Sequence, residues 1–259
     1  MKIPIYQVDA FTSRAFGGNP AAVCPLTSWL EDAKLQAIAA ENNLAETAFF
    51  VPTGDGFDIR WFTPAHEVDL CGHATLASAY VVFNHLRPGS DSVSFASKSG
   101  PLCVFADDGR LTLDFPALPA KPVAPPAGID EALGATPVAT LEASALLAVF
   151  DKESDVRALA PDSPRVAAIH HHGVIVTAPG DDVDFVSRFF APNYGLPEDP
   201  VTGSAHCTLA PYWADRLDKR TLRARQVSAR GGELWCEVKG DRVLISGNVA
   251  PYLEGTIDV

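Results

Sequence analysis

Glu198, Asp199, Thr202, Ser204 and His206 fall within nine residues of one another, in the stretch Gly195 to Trp213, G-L-P-E-D-P-V-T-G-S-A-H-C-T-L-A-P-Y-W. Two carboxylates, two hydroxyls and an imidazole are the side chains of proton transfer and anion binding. The stretch opens as a turn-rich loop with two prolines. It passes through Thr202-Gly203-Ser204 into an apolar run that reads as a helix from His206 to about Leu217. At such a junction the free backbone N–H groups and the positive end of the helix dipole favour a carboxylate or another anion.

The stretch has an earlier counterpart. Cys71-Gly72-His73-Ala74-Thr75-Leu76-Ala77 aligns without a gap on Ser204-Ala205-His206-Cys207-Thr208-Leu209-Ala210, with His, Thr, Leu and Ala recurring in order 133 residues apart. That distance is about half the chain, so the pattern reads as two copies of one unit, each entering a buried helix from a polar turn. Other candidates lie between the copies. Glu46 starts the apolar run Thr47 to Val51; it is either a rim residue facing water or a partly desolvated general acid/base, because burial raises a carboxyl's pKa. Asn19, in F-T-S-R-A-F-G-G-N-P, reads first as turn chemistry with Pro20, and Gly17-Gly18 permits unusual backbone angles. His170-His171-His172 invites a metal reading. Strand alternation would separate His171 from its neighbours and no thiol or acid stands at ligand spacing, so no metal is expected.

The positioning elements follow from periodicity and punctuation. Lys2 to Ala10, Ala21 to Pro25, Thr47 to Val51 and Phe57 to Thr63 read as strands. Ser28-Trp29-Leu30-Glu31 reads as a capping box opening a helix that runs to about Glu41 and stops at Asn42-Asn43. A helix from about Ala74 to Leu86 is apolar on most sides, the mark of a buried central helix. Ser92 to Phe115 reads as strand–turn–strand with a hairpin turn at Asp107-Asp108-Gly109. The five prolines of Pro116 to Gly128 read as an extended linker between halves. Beyond it, Asp130–Leu133 and Ser154–Leu159 read as helical. Ser144–Phe150, Val174–Thr177, Asp184–Phe190, Leu234–Val238 and Arg242–Ser246 read as strands.

Composition narrows the function classes. The chain has 259 residues, 47% of them hydrophobic and 20% charged, as in a protein with a real core. A net charge of -12 argues against nucleic acid or an anionic membrane as partner, and no apolar run is long enough to span a bilayer. Five cysteines without CxxC or zinc spacing, and no signal-peptide pattern, favour reduced thiols and a cytoplasmic location.

The motifs F-T-S-R-A-F-G-G-N-P, N-N-L-A-E-T-A-F-F, R-W-F-T-P, L-C-G-H-A-T and E-D-P-V-T-G-S-A-H-C, in this order, resemble the phenazine-biosynthesis PhzF-like family, which is related to diaminopimelate epimerase. The resemblance covers nearly the whole chain. It implies an α+β fold of two similar domains, each a β-barrel-like sheet around a central helix, with the active site in the interdomain cleft. The expected domains are 1–116, completed by 250–259, and 117–249. The resemblance also implies an isomerase without metal or cofactor, acting on a small carboxylate-bearing molecule, and a homodimer. By position, Glu46 resembles the proton-shuttling carboxylate. His73, Asp199 and Ser204 resemble the groups that hold the substrate and assist proton transfer. Gly72, His73, Gly203 and Ser204 match the helix starts whose amides bind a substrate carboxylate. Asn19, Cys71 and Thr202 border the same site.

One departure matters. The related two-thiol epimerases carry a cysteine at each helix start, whereas here Cys71 is matched by Ser204, a far weaker base at neutral pH. That favours one-carboxylate isomerisation through Glu46. Cys71 reads as a pocket residue, a second donor or a small buried hydrophobe. The alternatives are a racemase or epimerase using Cys71 with Glu46 or Asp199, and a small-molecule binding protein that kept the fold without turnover.

Overall fold

The computed structural model describes residues 1–107 and 109–259; Asp108 of the expected hairpin turn lies outside the described residues. The chain forms two compact units, Met1–Asp114 with Ser246–Val259, and Phe115–Ile245. The sequence reading puts these boundaries at 116/117 and 249/250.

The first unit contains β1 (Lys2–Ala10), β2 (Asn19–Pro25), α1 (Asp32–Asn42), β3 (Glu46–Thr53), β4 (Gly56–Phe62), β5 (Glu67–Val68), α2 (Gly72–Val81), β6 (Ser92–Ser97), β7 (Gly100–Asp107) and most of β8 (Arg110–Pro116). The second contains β9 (Lys121–Pro122), α3 (Ile129–Leu133), β10 (Ala139–Glu142), β11 (Leu146–Val149), α4 (Glu153–Ala158), α5 (Ser163–Ile169), β12 (Val174–Pro179), β13 (Phe185–Ala191), β14 (Leu196–Asp199), α6 (His206–Leu217), β15 (Thr221–Gln226), β16 (Gly232–Lys239) and most of β17 (Arg242–Gly247). Finally β18 (Val249–Asp258) returns to the first unit and pairs antiparallel with β1.

In the first unit β1–β2 is antiparallel, β2–β3 parallel, β3–β4 antiparallel, β4–β6 parallel and β6–β7 antiparallel. The second unit repeats this with β10–β11 antiparallel, β11–β12 parallel, β12–β13 antiparallel, β13–β15 parallel and β15–β16 antiparallel. Both units are α+β, a mixed sheet with one long buried helix.

Strand alternation decides which residues meet that helix. In the first unit Ala22 and Cys24 of β2 and Phe49 and Val51 of β3 pack with Leu35 and Ile38 of α1. Asn19, Ala21 and Val23, and Glu46, Ala48 and Phe50, therefore point to the opposite face. There α2 lies against β1, β2 and β3, and nine of its ten residues are buried. In the second unit α3, α4 and α5 cover one face through Leu133, Val156 and Val166. On the other, Trp213 of α6 donates to Thr177 Oγ1 and stacks on Phe185.

Several expectations are corrected. Ser28 caps nothing: the helix starts at Asp32 with Glu31 as its N-cap residue and no side-chain cap. Trp29 and Leu30 pack against the α1-side core instead, and that docking outweighs the local capping signal. Asn19-Pro20 is not a turn but the start of β2, with Asn19 opposite Ala10. The first central helix starts two residues early, at Gly72, and gives way to a π-helical turn over Val82–Leu86. The proline-rich stretch is not wholly a linker, since β9 pairs with β10. His170–His172 precede β12 rather than lying in it, and His170 Nε2 lies 3.1 Å from a carboxylate, Glu142.

The two units repeat more than the helix starts. Arg60 of β4 makes a two-pronged bond to Glu67 of β5, at 2.7 and 2.9 Å, and covers the Phe62 ring. Arg188 of β13 does the same to Glu198 of β14, also at 2.7 and 2.9 Å, and covers Phe190. Glu198 is thus part of a structural clamp, not one of the groups delivered to the mouth of α6. Among the described residues no helix is long and apolar enough to cross a membrane.

Candidate active site

In the first unit the fold brings four of the expected residues together. Asn19 Nδ2 lies 3.1 Å from His73 Nδ1, and His73 Nε2 lies 3.2 Å from Glu46 Oε2. Cys71 Sγ is 3.5 Å from Nδ1 and 4.0 Å from Nε2 of the same ring. All four are buried: Asn19 is 0% exposed, Glu46 9%, Cys71 6% and His73 4%. Cys71 occupies the N-cap position of α2 in extended conformation, so the amides of Gly72, His73 and Ala74 begin a helix that offers them no carbonyl.

Burial works against protonating His73. The charges of Cys71 and Glu46, and their hydrogen bonds, outweigh it and hold the imidazole pKa well above its ordinary value. Burial, and then the Glu46 charge, push the Cys71 thiol up to about 11 against the opposing pull of His73. Cys71 is therefore held as a thiol at neutral pH, and the Glu46 charge and the hydrogen bonds favour the protonated form of the His73 ring. Asn19 suits either state of the ring, since its amide nitrogen can donate to a bare Nδ1 and its oxygen can accept from Nδ1–H.

The second unit holds the remaining residues in a different constellation. Asp199 is 7% exposed and its Oδ2 accepts from the Thr202 hydroxyl. Gln226 ties the loop down: its Nε2 donates to the Asp199 carbonyl at 2.7 Å, and its Oε1 accepts from the Thr202 N–H at 2.8 Å. Sequence reasoning missed Gln226. The signal was there, because Leu222, Ala224 and Gln226 form one buried face of β15 and the last is polar. Ser204 is exposed and Gly203 buried. The helical bonding of α6 begins with His206 N–H to the Gly203 carbonyl at 3.0 Å and Cys207 N–H to that of Ser204 at 3.1 Å. The amides of Gly203 and Ser204 thus precede the ladder, as those of Gly72 and His73 do.

His206 matches His73 in sequence but not in chemistry. Its Nδ1 donates to the Thr202 carbonyl at 2.9 Å, and its Nε2 is buried without a partner among the described residues. Burial holds its pKa down to about 4 despite the opposing Thr202 carbonyl, so the ring is neutral. The unfolded chain takes up this proton first. The stability it represents is complete above about pH 6.5 and is lost as the pH falls toward 4, in all on the order of 3 kcal/mol. Urea unfolding at about pH 7 and about pH 4.5 should show His206→Gln losing about 2 kcal/mol less than wild type between the two. Equal losses would remove His206 from the acid response.

Register shows why the units differ at the reactive positions. Arg60 faces Phe49 across β3–β4, and Arg188 faces Val176 across β12–β13. Counting back three residues from Phe49 and from Val176 pairs Glu46 with Gly173. Gly173 has a φ of 102°, and a Cβ there would stand 2.5 Å from the Phe190 carbonyl oxygen. The second unit thus carries glycine where the first has its buried carboxylate, and Ser204 where the first has Cys71.

The model of the PhzC-PhzF family, described as phenazine biosynthesis-like protein, matches residues 8–255. An uncharacterized isomerase from Pseudomonas aeruginosa is 52% identical over 257 residues, 99% of each chain. The crystal structure of a phenazine biosynthesis protein of the PhzF family from Enterococcus faecalis is similar with a TM-score of 0.97 and 46% identity, over 100% of both chains. A hydroxyproline epimerase from Agrobacterium vitis, with bound trans-4-OH-L-proline, shares the fold at a TM-score of 0.64 and 11% identity, over 99% of this chain and 92% of that one.

Proposed function

The chain belongs to the PhzC-PhzF family of phenazine biosynthesis-like proteins, and from that premise we propose that it is a cofactor-independent isomerase with Glu46 as its acid/base. The observation that carries this reading is the buried Glu46–His73 pair, set against glycine at the matching position 173. Glu46 takes a proton from one carbon of a small carboxylate-bearing substrate and becomes a carboxylic acid. The electron pair of that C–H bond spreads into the substrate's unsaturated system. The Glu46 carboxylic acid exchanges its proton with solvent and then delivers one to a second carbon, so no electrons are gained or lost. His73 pairs with the Glu46 carboxylate, Asn19 holds the His73 ring, and the amides of Gly72 and His73 offer positive potential for anionic oxygens. In the second unit Asp199, Thr202, Gly203 and Ser204 form a polar loop at a second helix start, which by itself suits an anionic group.

The test is proton NMR in D₂O with trans-2,3-dihydro-3-hydroxyanthranilate and a panel of small amino and hydroxy acids. Deuterium should enter a substrate carbon with wild type. No incorporation into any compound would remove phenazine-type chemistry and weaken the isomerase reading as a whole.

The epimerase alternative needs a thiolate at Cys71, and a thiol raised to about 11 is a poor source of one at neutral pH. Cys71→Ser is therefore expected to retain exchange to within about tenfold, well short of the loss that follows removal of an essential acid or base. Complete loss of exchange in a folded Cys71→Ser protein would instead make Cys71 the base.

A further inference from the structure

The hydrogen bonds around Gln226 of β15 run in one direction. Gln226 is 0% exposed, and Thr202 and Asp199 are each 7% exposed, so protein groups rather than bulk water set their orientation. The Thr202 N–H can only donate, so the amide atom 2.8 Å from it is Oε1. The Asp199 carbonyl can only accept, so the atom 2.7 Å from it is Nε2. These two backbone groups fix the amide by themselves. The second Nε2 proton then faces Thr202 Oγ1 at 3.3 Å. A hydroxyl oxygen that accepts there keeps its own proton for Asp199 Oδ2.

The first unit holds the matching loop without this arrangement. Arg60 and Arg188 mark equivalent positions, and the residues after them, Trp61 and Phe189, face Val68 and Asp199. Three residues before each arginine, Phe57 faces Phe95 and Phe185 faces Ala224; two residues on from those partners stand Ser97 and Gln226. The first unit thus has Val68 and Ser97 where the second has Asp199 and Gln226, and the Ser97 hydroxyl donates to the nearby Gly100 carbonyl instead. Two residues further, both units carry a serine that ties down the loop before the helix. Ser99 donates to the Asp69 carbonyl at 2.8 Å and Ser228 to that of Pro200 at 2.7 Å. That tie is common to the units. The Gln226 bonds belong to the second, as does Thr202, which lies in a span from Glu198 to Ser204 two residues longer than that from Glu67 to Cys71.

We infer that Gln226 is a positioning residue: it aims the Thr202 hydroxyl at Asp199 and so favours the carboxylate form of that side chain at the start of α6. For the isomerase proposed above, losing the aim lowers kcat/KM; that consequence rests on the proposed function, and the aiming itself does not. Of the titratable and charged groups around this network, Glu198 is engaged by Arg188, Arg225 by Glu233, and His206 Nδ1 by the Thr202 carbonyl.

The test is ¹³C NMR of protein labelled at the aspartate carboxyls, without substrate, with Asp199→Asn to assign the signal. Gln226→Leu and Thr202→Val should each raise the Asp199 titration midpoint by about one pH unit, and the double variant by little more than either alone. Thr202→Ser keeps the hydroxyl and should restore the wild-type midpoint. Ser228→Ala loosens the tie common to both units and should leave the midpoint in place. An unmoved midpoint in Gln226→Leu, or an equal rise in Ser228→Ala, overturns the inference. Thermal melts establish that each variant is folded, and Gln226→Asn, whose amide falls one methylene short of its partners, takes the place of a leucine variant that is not. Since no substrate is present, a failed titration sinks only this inference, and absent deuterium exchange sinks only the isomerase.

Discussion

Glu46→Gln should lower turnover by roughly 10²–10⁴-fold and abolish deuterium incorporation while leaving KM nearly unchanged. The side chains have the same shape, and Glu46 sits at the start of β3 with its Cα partner Ala21 fixed in β2, so the fold has no reason to move. What disappears is a group that can hold a proton between two carbons. Glu46→Asp is the second arm: it keeps the charge but withdraws it by one methylene, and a misplacement near 1 Å can cost about 10². His73 gives an independent readout. Its pKa is raised partly by Glu46, so its NMR titration midpoint should fall in Glu46→Gln. Unchanged turnover in Glu46→Gln would end the proposed mechanism, whereas a lost rate with an unmoved His73 would break the link drawn between the two.

The second large effect concerns the backbone that presents Asn19. Gly18 has a φ of 59°, and a Cβ there would lie 2.0 Å from the Ala10 carbonyl oxygen and 2.8 Å from Thr12 Cγ2. Main chain cannot yield as a side-chain tip does. The strain and the overpacking together make Gly18→Ala cost about 2–5 kcal/mol. Gly17→Ala is the control, because its Cβ would crowd only the Thr12 hydroxyl, at 2.7 Å, and its φ is not positive. It should cost under about 1 kcal/mol. Urea unfolding of the pair measures both, and equal costs would show that the Gly18 backbone can relax. Asn19 follows directly in the chain, so Gly18→Ala should also disturb the His73 titration at temperatures where the variant is still folded.

Much of this was legible in the residues. α6 runs from His206 to Leu217 as its apolar run implies, and β1 spans Lys2–Ala10, because in both the periodicity and the tertiary packing agree. Glu46 drew notice because it opens an apolar run and His73 because its motif recurs at His206, whereas Asn19 read as turn chemistry and, with Cys71, joined the site only through the family resemblance. The failures have physical causes as well. Ser28 and Glu31 carry the local signal of a cap, but Trp29 gains more from its place beside the Arg60 guanidinium. β10 and α5 were missed because Ala139–Glu142 and Ser163–Ile169 are short and weakly periodic, and pairing with β11 and packing of Val166 stabilise them. Gln226 has no motif around it, and its role exists only once β15 lies beside the Asp199 loop. The opposite pKa shifts of His73 and His206 were likewise invisible, since the local motif is shared and the surroundings are not.

Gly173 has a consequence for the history and the engineering of such chains. Two copies of one unit could in principle trade roles, or regain matched bases, by single substitutions. Here the second copy lacks more than a side chain. Its backbone has turned into a conformation, and into contact with the strand beside it, that leaves no room for any Cβ. Restoring an acid at that position would require rebuilding the approach to β12 first, through intermediates that gain nothing in activity. The division of labour between the copies acts as a ratchet, and a search for racemase activity in this chain should begin from the turn at His170–Gly173 rather than from the reactive residues themselves.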